Sequence, residues 1–281
     1  MEKWKKNGLG EIIQRKVLIM NLLKRISLLT LVIFIFSSVG LKAFCAEKAL
    51  TKVISKDIEV QTKDARIIKA TLTYPKIEGI TKYPTVLLLH SLGYTSGDWG
   101  NLIPYLNQSG YAVIAMDLRG HGKSTYNMNL QRKSWTYFTA KTYQRFPNDA
   151  VDILKQAQTV SKKLDMNNWA IVGADIGANT AVLTAKMYPK KPKTMVLISP
   201  SMNFKGLYIP IVMTEIGTMP ILSMASEQDR YSLKEQKTLA KFSQGGFYAK
   251  NYSKGGMGMM MLKSNPSMAL DITKWIGKYL K

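Results

Sequence analysis

Few side chains in this chain can move a proton near neutral pH. Of its 281 residues two are histidines, His90 and His121, and one is a cysteine, Cys45. A mechanism that needs an imidazole must use one of those two. A disulfide framework, or a zinc site built from several thiolates, is excluded. The carboxylates with most chemical promise lie next to turn residues. Asp175 stands in Gly173-Ala-Asp-Ile-Gly177, between an apolar run and a helix pattern. An Asp there can cap the free N–H groups of the helix start and sit in its dipole field, or it can attack carbon as a nucleophile. Asp229 falls in Ser226-Glu-Gln-Asp-Arg230. His90 opens His90-Ser-Leu-Gly93, and His121 lies in Asp117-Leu-Arg-Gly-His-Gly-Lys-Ser124. The Gly122-Lys-Ser124 tail suggests a phosphate loop, but that motif needs glycine where Asp117 stands. The cluster Gly255-Gly-Met-Gly-Met-Met-Met261 offers thioethers that suit Cu(I), although filling a core gap or a helix start is the plainer use of methionine. Asp175, Asp229 and one histidine would make a His-carboxylate metal set only if distant segments met. Neither a metal nor another cofactor is expected.

These residues need a scaffold, and the hydrophobic pattern supplies one. Alternation from Val53 to Tyr74 around a Thr62-Lys-Asp64 turn predicts an antiparallel hairpin. Strands are predicted at Thr85–Leu89, Tyr111–Met116, Trp169–Val172, Thr194–Ile198, Pro220–Met224 and Phe247–Tyr252. Helices are predicted over 99–108, 148–164, 176–188, 231–243 and 265–280, the last capped by Asn265-Pro266. Strands alternating with helices make a mostly parallel sheet covered on both faces, in one domain over residues 46–281. In such sheets ligands bind at the carboxyl ends of the strands, and those ends carry the four segments quoted above.

Taken in order, those segments resemble the α/β-hydrolase superfamily over about residues 55–280. The likeness is closest to small, nearly capless carboxylesterases and dienelactone-hydrolase-like members, since only about 20 residues separate Ile198 from Pro220. The resemblance implies an α/β-hydrolase fold with an N-terminal β-hairpin and a minimal cap. It also implies a strand-turn-helix elbow, G-x-S-x-G, that exposes a nucleophilic serine. An oxyanion hole would be built from the N–H of Ile176 and that of Ser91 or Leu92. The acid position matches Asp229, and the base is a histidine in a loop before the final helix.

Two departures decide the expectation. Asp175 occupies the nucleophile position, and Met257 stands where the histidine belongs. No histidine follows His121, and a methionine cannot accept a proton, so ester hydrolysis is expected to be weak or lost. The carboxylate of Asp175 can then occupy the oxyanion hole itself. His90 and His121 are expected to brace loops. One alternative is a binding protein that uses the former substrate cleft for an ester-like, acyl or aromatic ligand. A minor alternative is dehalogenase- or epoxide-hydrolase-like attack by Asp175, which shares the fold but requires a histidine-activated water and a large cap.

Charge and the first 45 residues bear on location. The net charge is +22, from 40 Lys+Arg against 18 Asp+Glu. The excess is dominated by lysine, whereas base and phosphate readout leans on the arginine fork. Nucleic acid is therefore not an expected partner, while an anionic membrane or polymer is one such a surface would attract. Lys24-Arg25, the apolar run from Ile26 to Phe36, and Ala43-Phe-Cys45-Ala46 read as a secretory signal peptide with cleavage near Cys45–Ala46. The uncharged stretch 26–41 would span about 24 Å as helix, short of the ~30 Å hydrocarbon core; an uncleaved membrane anchor is the alternative. Met20 is a second candidate start. The protein is expected to be exported, periplasmic or extracellular.

Overall fold

Alternating residues after Lys52 form the expected hairpin, β1 (Val53–Gln61) and β2 (Ile67–Pro75), paired antiparallel from Val53↔Pro75 to Gln61↔Ile67. The structure is a computed structural model that describes residues 52–281. The expected signal segment, anchor and cleavage site lie outside the described residues.

The chain continues through β3 (Tyr83–Leu89), α1 (Leu102–Gln108), β4 (Ala112–Met116), α2 (Ala140–Tyr143), α3 (Phe146–Val160), β5 (Leu164–Ala174) and α4 (Ile176–Met187). It then forms β6 (Thr194–Ile198), the short hairpin β7 (Asn203–Phe204) and β8 (Leu207–Tyr208), α5 (Pro210–Glu215), β9 (Ile221–Ser226) and α6 (Arg230–Leu239). The last elements are β10 (Phe247–Tyr252), α7 (Met259–Ser264) and α8 (Ser267–Ile276). Eight strands make one sheet in the order β1-β2-β4-β3-β5-β6-β9-β10. From β4 to β10 every neighbour is parallel. The α/β-hydrolase fold expected from the sequence is the fold observed.

Successive residues of the central strands enter different cores, which is why their sequences read as unbroken apolar runs. Leu87, Leu89, Ile171 and Leu197 pack with Phe146, Leu154 and Val182 of α3 and α4. Val86, Leu88, Val172 and Val196 pack on the other face with Leu102, Met259, Ile272 and Trp275. The sequence order reverses across β3, which has β4 on one side and β5 on the other. A crevice opens at such a switch point, and there His90, Asp117 and Asp175 follow their strands.

Two expected helix boundaries and one expected cap differ for local reasons. The helix predicted to reach Leu164 stops at Val160, because Ser161 turns to an extended φ of −147° and Leu164 begins β5. The helix predicted from Trp99 is interrupted by Gly100, with φ 53° and ψ −127°, and starts only at Leu102. Asn265 does not cap α8 with its side chain; its Nδ2 donates to the Lys254 and Met261 carbonyls instead.

Candidate functional site

The turn from β5 into α4 explains its own sequence. A Cβ on Gly173 would lie 2.2 Å from the Gly177 carbonyl oxygen, and one on Gly177 would lie 2.0 Å from that of Leu89. Only glycines allow this closeness, and the residue between them is forced to φ 55°, ψ −117°. That residue is Asp175. Such backbone in a non-glycine costs of order 1–3 kcal/mol and occurs where surrounding structure imposes it.

The strained turn buries Asp175 to 2% exposure. Its Oδ2 accepts the backbone N–H of Leu92 at 3.1 Å, while Oδ1 is buried without a partner. Burial pushes this carboxyl up to about 6, against the backbone N–H groups of Leu92 and Ile176, and the Asp229 charge adds to the rise. Of the two N–H groups expected as oxyanion donors, that of Leu92 donates to the Asp175 carboxylate. Of Ser91 and Leu92, it is Leu92 whose N–H reaches Asp175. The Ser91 hydroxyl instead accepts the N–H of Met259 at 3.0 Å.

Asp229 precedes α6 and caps it, with Oδ1 accepting the Ser232 N–H at 3.0 Å. Its Oδ2 is buried and unpartnered. Neither Asp175 nor Asp229 forms an ion pair among the described residues. The segment between β10 and α7 runs from one acid to the other. Its Gly256 carbonyl accepts the Ser226 hydroxyl at 2.7 Å, and its Gly258 N–H donates to Ser199 Oγ at 2.9 Å. A Cβ on Gly258 would sit 3.1 Å from that of Asp175 and 2.3 Å from Ser91 Oγ. Gly258 is thus the residue pressed against Asp175, while Met257, between the two anchored glycines, is 42% exposed. Met259 and Met261 are fully buried in the core beside α8.

Both imidazoles are spent on loops. His90 Nε2 accepts the Leu118 N–H at 2.9 Å, so its Nδ1 carries the proton and donates to the Ser91 carbonyl at 2.8 Å. His121 Nε2 accepts the Gly93 N–H at 3.0 Å and its Nδ1 donates to the Arg119 carbonyl at 2.9 Å. Burial pushes His90 down to about 4 and lowers His121 as well. Trp135 stacks on the His121 ring at 5.4 Å, with 3° between the planes. Neither ring has a free nitrogen to serve Asp175.

Sequence reasoning missed the strut behind this edge. Arg119, 2% exposed, grips Asp149 of α3 through Nε and Nη2, both at 2.7 Å, and its Nη groups also reach Asp64 of the β1–β2 turn. The Arg119 guanidinium holds Asp64 at about 2. The loop carrying His121 is thereby tied to two distant elements. The available signal was an arginine between Leu118 and Gly120, directly after an apolar strand, with Asp149 on the buried face of a helix. Among the described residues, no group of three or more His, Cys, Asp or Glu is placed to hold a metal ion.

The sequence profile of the alpha/beta hydrolase fold matches residues 84–235, more than half of the chain. This protein belongs to that family. No curated protein matches its sequence. Solved structures similar in fold include a dienelactone hydrolase from Anabaena variabilis, 13% identical with a TM-score of 0.60, covering 83% of this chain and 100% of that one. An acetyl xylan esterase from Paenibacillus sp. R4 is 14% identical with a TM-score of 0.64, over 83% and 86% of the two chains. An esterase from Pyrococcus furiosus is 16% identical with a TM-score of 0.62, over 81% and 92%.

Proposed function

We propose that this protein is an exported relative of the ester hydrolases that has lost turnover and uses its former substrate cleft for binding. One observation carries the reading: the Asp175 carboxylate accepts the Leu92 N–H at 3.1 Å, in the place where a substrate oxyanion would need that donor. Preorganised donors of this kind act on charge that develops in the transition state. A resident negative charge satisfies them beforehand and repels the developing one. Removing a triad nucleophile or base costs about 10⁶ in turnover, and here no imidazole is free to replace Met257.

Turnover through attack by Asp175 on carbon is disfavoured by the missing base. The Asp175 Oδ1 has no partner, but hydrolysis of the ester formed would require a base that both committed histidines deny. The proteins of similar fold include a dienelactone hydrolase and an acetyl xylan esterase. A small ester-like or acyl compound is accordingly the ligand class to screen, with the lysine-rich surface adding attraction to an anionic membrane or polymer.

The test is hydrolysis of p-nitrophenyl acetate by the purified protein. The expected rate is close to that of buffer alone and unchanged in Asp175→Ala. Brisk turnover that survives Asp175→Ala would place the chemistry elsewhere and overturn the reading.

A further inference from the structure

Exposed apolar side chains are ordinary when scattered singly, whereas a cluster on a built turn calls for a partner. The chain after β4 makes such a cluster. Tyr126 bridges Arg132 antiparallel, and Tyr126, Met128 and Leu130 around the turn between them are 46%, 48% and 77% exposed. Leu130 is the most exposed large aliphatic residue among the described residues. Its φ of 58° suits glycine or asparagine and strains a leucine. The turn is not slack. Asn127 Oδ1 accepts the Asn129 and Gln131 N–H groups at 3.1 and 2.8 Å, and the Asn127 carbonyl accepts the Leu130 N–H at 2.9 Å. The Met128 N–H donates to the Ala65 carbonyl at 3.0 Å, which ties this turn to the one between β1 and β2.

The charge at the tip has one sign. From Leu118 to Asn148 the sequence holds no acidic residue. Arg132 lies across from Tyr126 and Lys133 follows it, and neither enters an ion pair among the described residues. The acid of the adjoining turn, Asp64, is taken by Arg119.

We propose that the turn 126–133 docks on an anionic lipid bilayer, with Met128 and Leu130 entering the interface and Arg132 and Lys133 on the headgroups. The proposal names the surface for the anionic contact offered above and rests on that part of the reading. Buried apolar area and attraction of cations to anionic lipid act together at a membrane surface. Leu130 bears strain and exposure at once, and a bilayer relieves the exposure. A soluble polyanion would satisfy the cations and leave the apolar tip in water. A protein partner would require about 800 Å² from each side, far more than three side chains supply.

The experiment places a nitrobenzoxadiazole label at position 128 of the full-length protein, as Met128→Cys with Cys45→Ser, and follows its emission as vesicles are added. The label reports its own surroundings, so lipid contact by the N-terminal apolar run does not mimic the result. Vesicles of equal parts phosphatidylglycerol and phosphatidylcholine should shift the emission to the blue, and phosphatidylcholine alone should not. The same label at Lys193→Cys, ahead of β6 on the opposite edge of the sheet, should not respond. Leu130→Asn suits the left-handed backbone, so it keeps the fold and should remove most of the shift. Arg132→Gln with Lys133→Gln should raise the lipid needed for half the change about tenfold or more, at about fivefold per cation. Lys162→Gln with Lys193→Gln, ahead of β5 and β6, lies beyond the screening length and should change it by less than about twofold. The proposal is overturned by no shift with anionic vesicles, by equal shifts at the two labelled positions, or by a shift that survives both tip variants. A response to heparin in place of vesicles would overturn it as well. Brisk p-nitrophenyl acetate hydrolysis would instead overturn the loss of turnover and leave this surface standing, so the two failures are told apart.

Discussion

At the scale of single residues, the behaviour of Asp175 follows from its burial. Its folded-state value of about 6 lies above the ordinary 3.8. Between pH 4 and 6 the folded protein therefore holds more protons than the unfolded chain, and the contribution of this group to stability falls as pH rises through that window. Above pH 6 the charged carboxylate is a net cost to the folded state. Asp175→Asn keeps an acceptor for the Leu92 N–H without the charge. It should stabilise the protein by on the order of 1–3 kcal/mol at pH 8, with the gain gone at pH 4. Urea denaturation at the two pH values measures this; a destabilised variant at pH 8 would show that the charge itself holds the turn. His90 works in the opposite sense. Its folded value near 4 is below the ordinary 6.5, so its contribution is present above pH 6.5 and is lost as pH falls toward 4.

Elements are held in place around the site by contacts that the hydrophobic pattern does not encode. The loop after β4 depends on the Arg119 grip on Asp149, with both side chains 2% exposed. Arg119→Ala leaves a buried carboxylate unpaired and should cost about 3–5 kcal/mol. Arg119→Met with Asp149→Leu removes both charges and should recover most of that loss. Thermal unfolding of the two variants decides it, and a mild effect of Arg119→Ala would contradict the strut. This network was illegible in the sequence because its three members lie 30 and 55 residues apart. The elbow, by contrast, was legible, because the glycine spacing reports a local closeness of backbones. Helix ends were legible only where a stop signal was local. Leu164 keeps the helical spacing of α3 but belongs to β5, since strand pairing with Tyr83 outweighs periodicity there. The β7–β8 hairpin carried no clear period, and it is held instead by Asn179, whose Nδ2 donates to the Ser201 and Leu207 carbonyls at 2.8 Å.

For the whole molecule, the α/β alternation and the order of the strand-end segments were readable from the sequence, and with them the family. That the Asp175 carboxylate meets the Leu92 N–H could be anticipated, because the elbow and the Ser91–Leu92 loop come from adjacent strands. Which loop atom presses against Asp175 could not: Gly258 does so because it has no side chain, a matter of packing rather than motif. Export is a prediction at this scale. The protein expressed in a bacterium should be recovered outside the cytoplasm, with mass spectrometry placing its N-terminus near Ala46; a soluble cytosolic product with Met20–Ala46 intact would contradict it. The central claim is that ester turnover is absent because nucleophile and base are both missing while Asp175 fills the oxyanion site. The most direct test is kcat/KM for p-nitrophenyl acetate in a double-mutant cycle of Asp175→Ser and Met257→His. Asp175→Ser alone removes the repulsion but has no base, and Met257→His alone supplies a base with nothing to activate. Both single variants should stay near the wild-type background, and only the double variant, with Asp229 behind the new imidazole, should gain turnover far beyond the sum of the two. Additive effects, or a wild-type rate that Asp175→Ser lowers, would contradict the account.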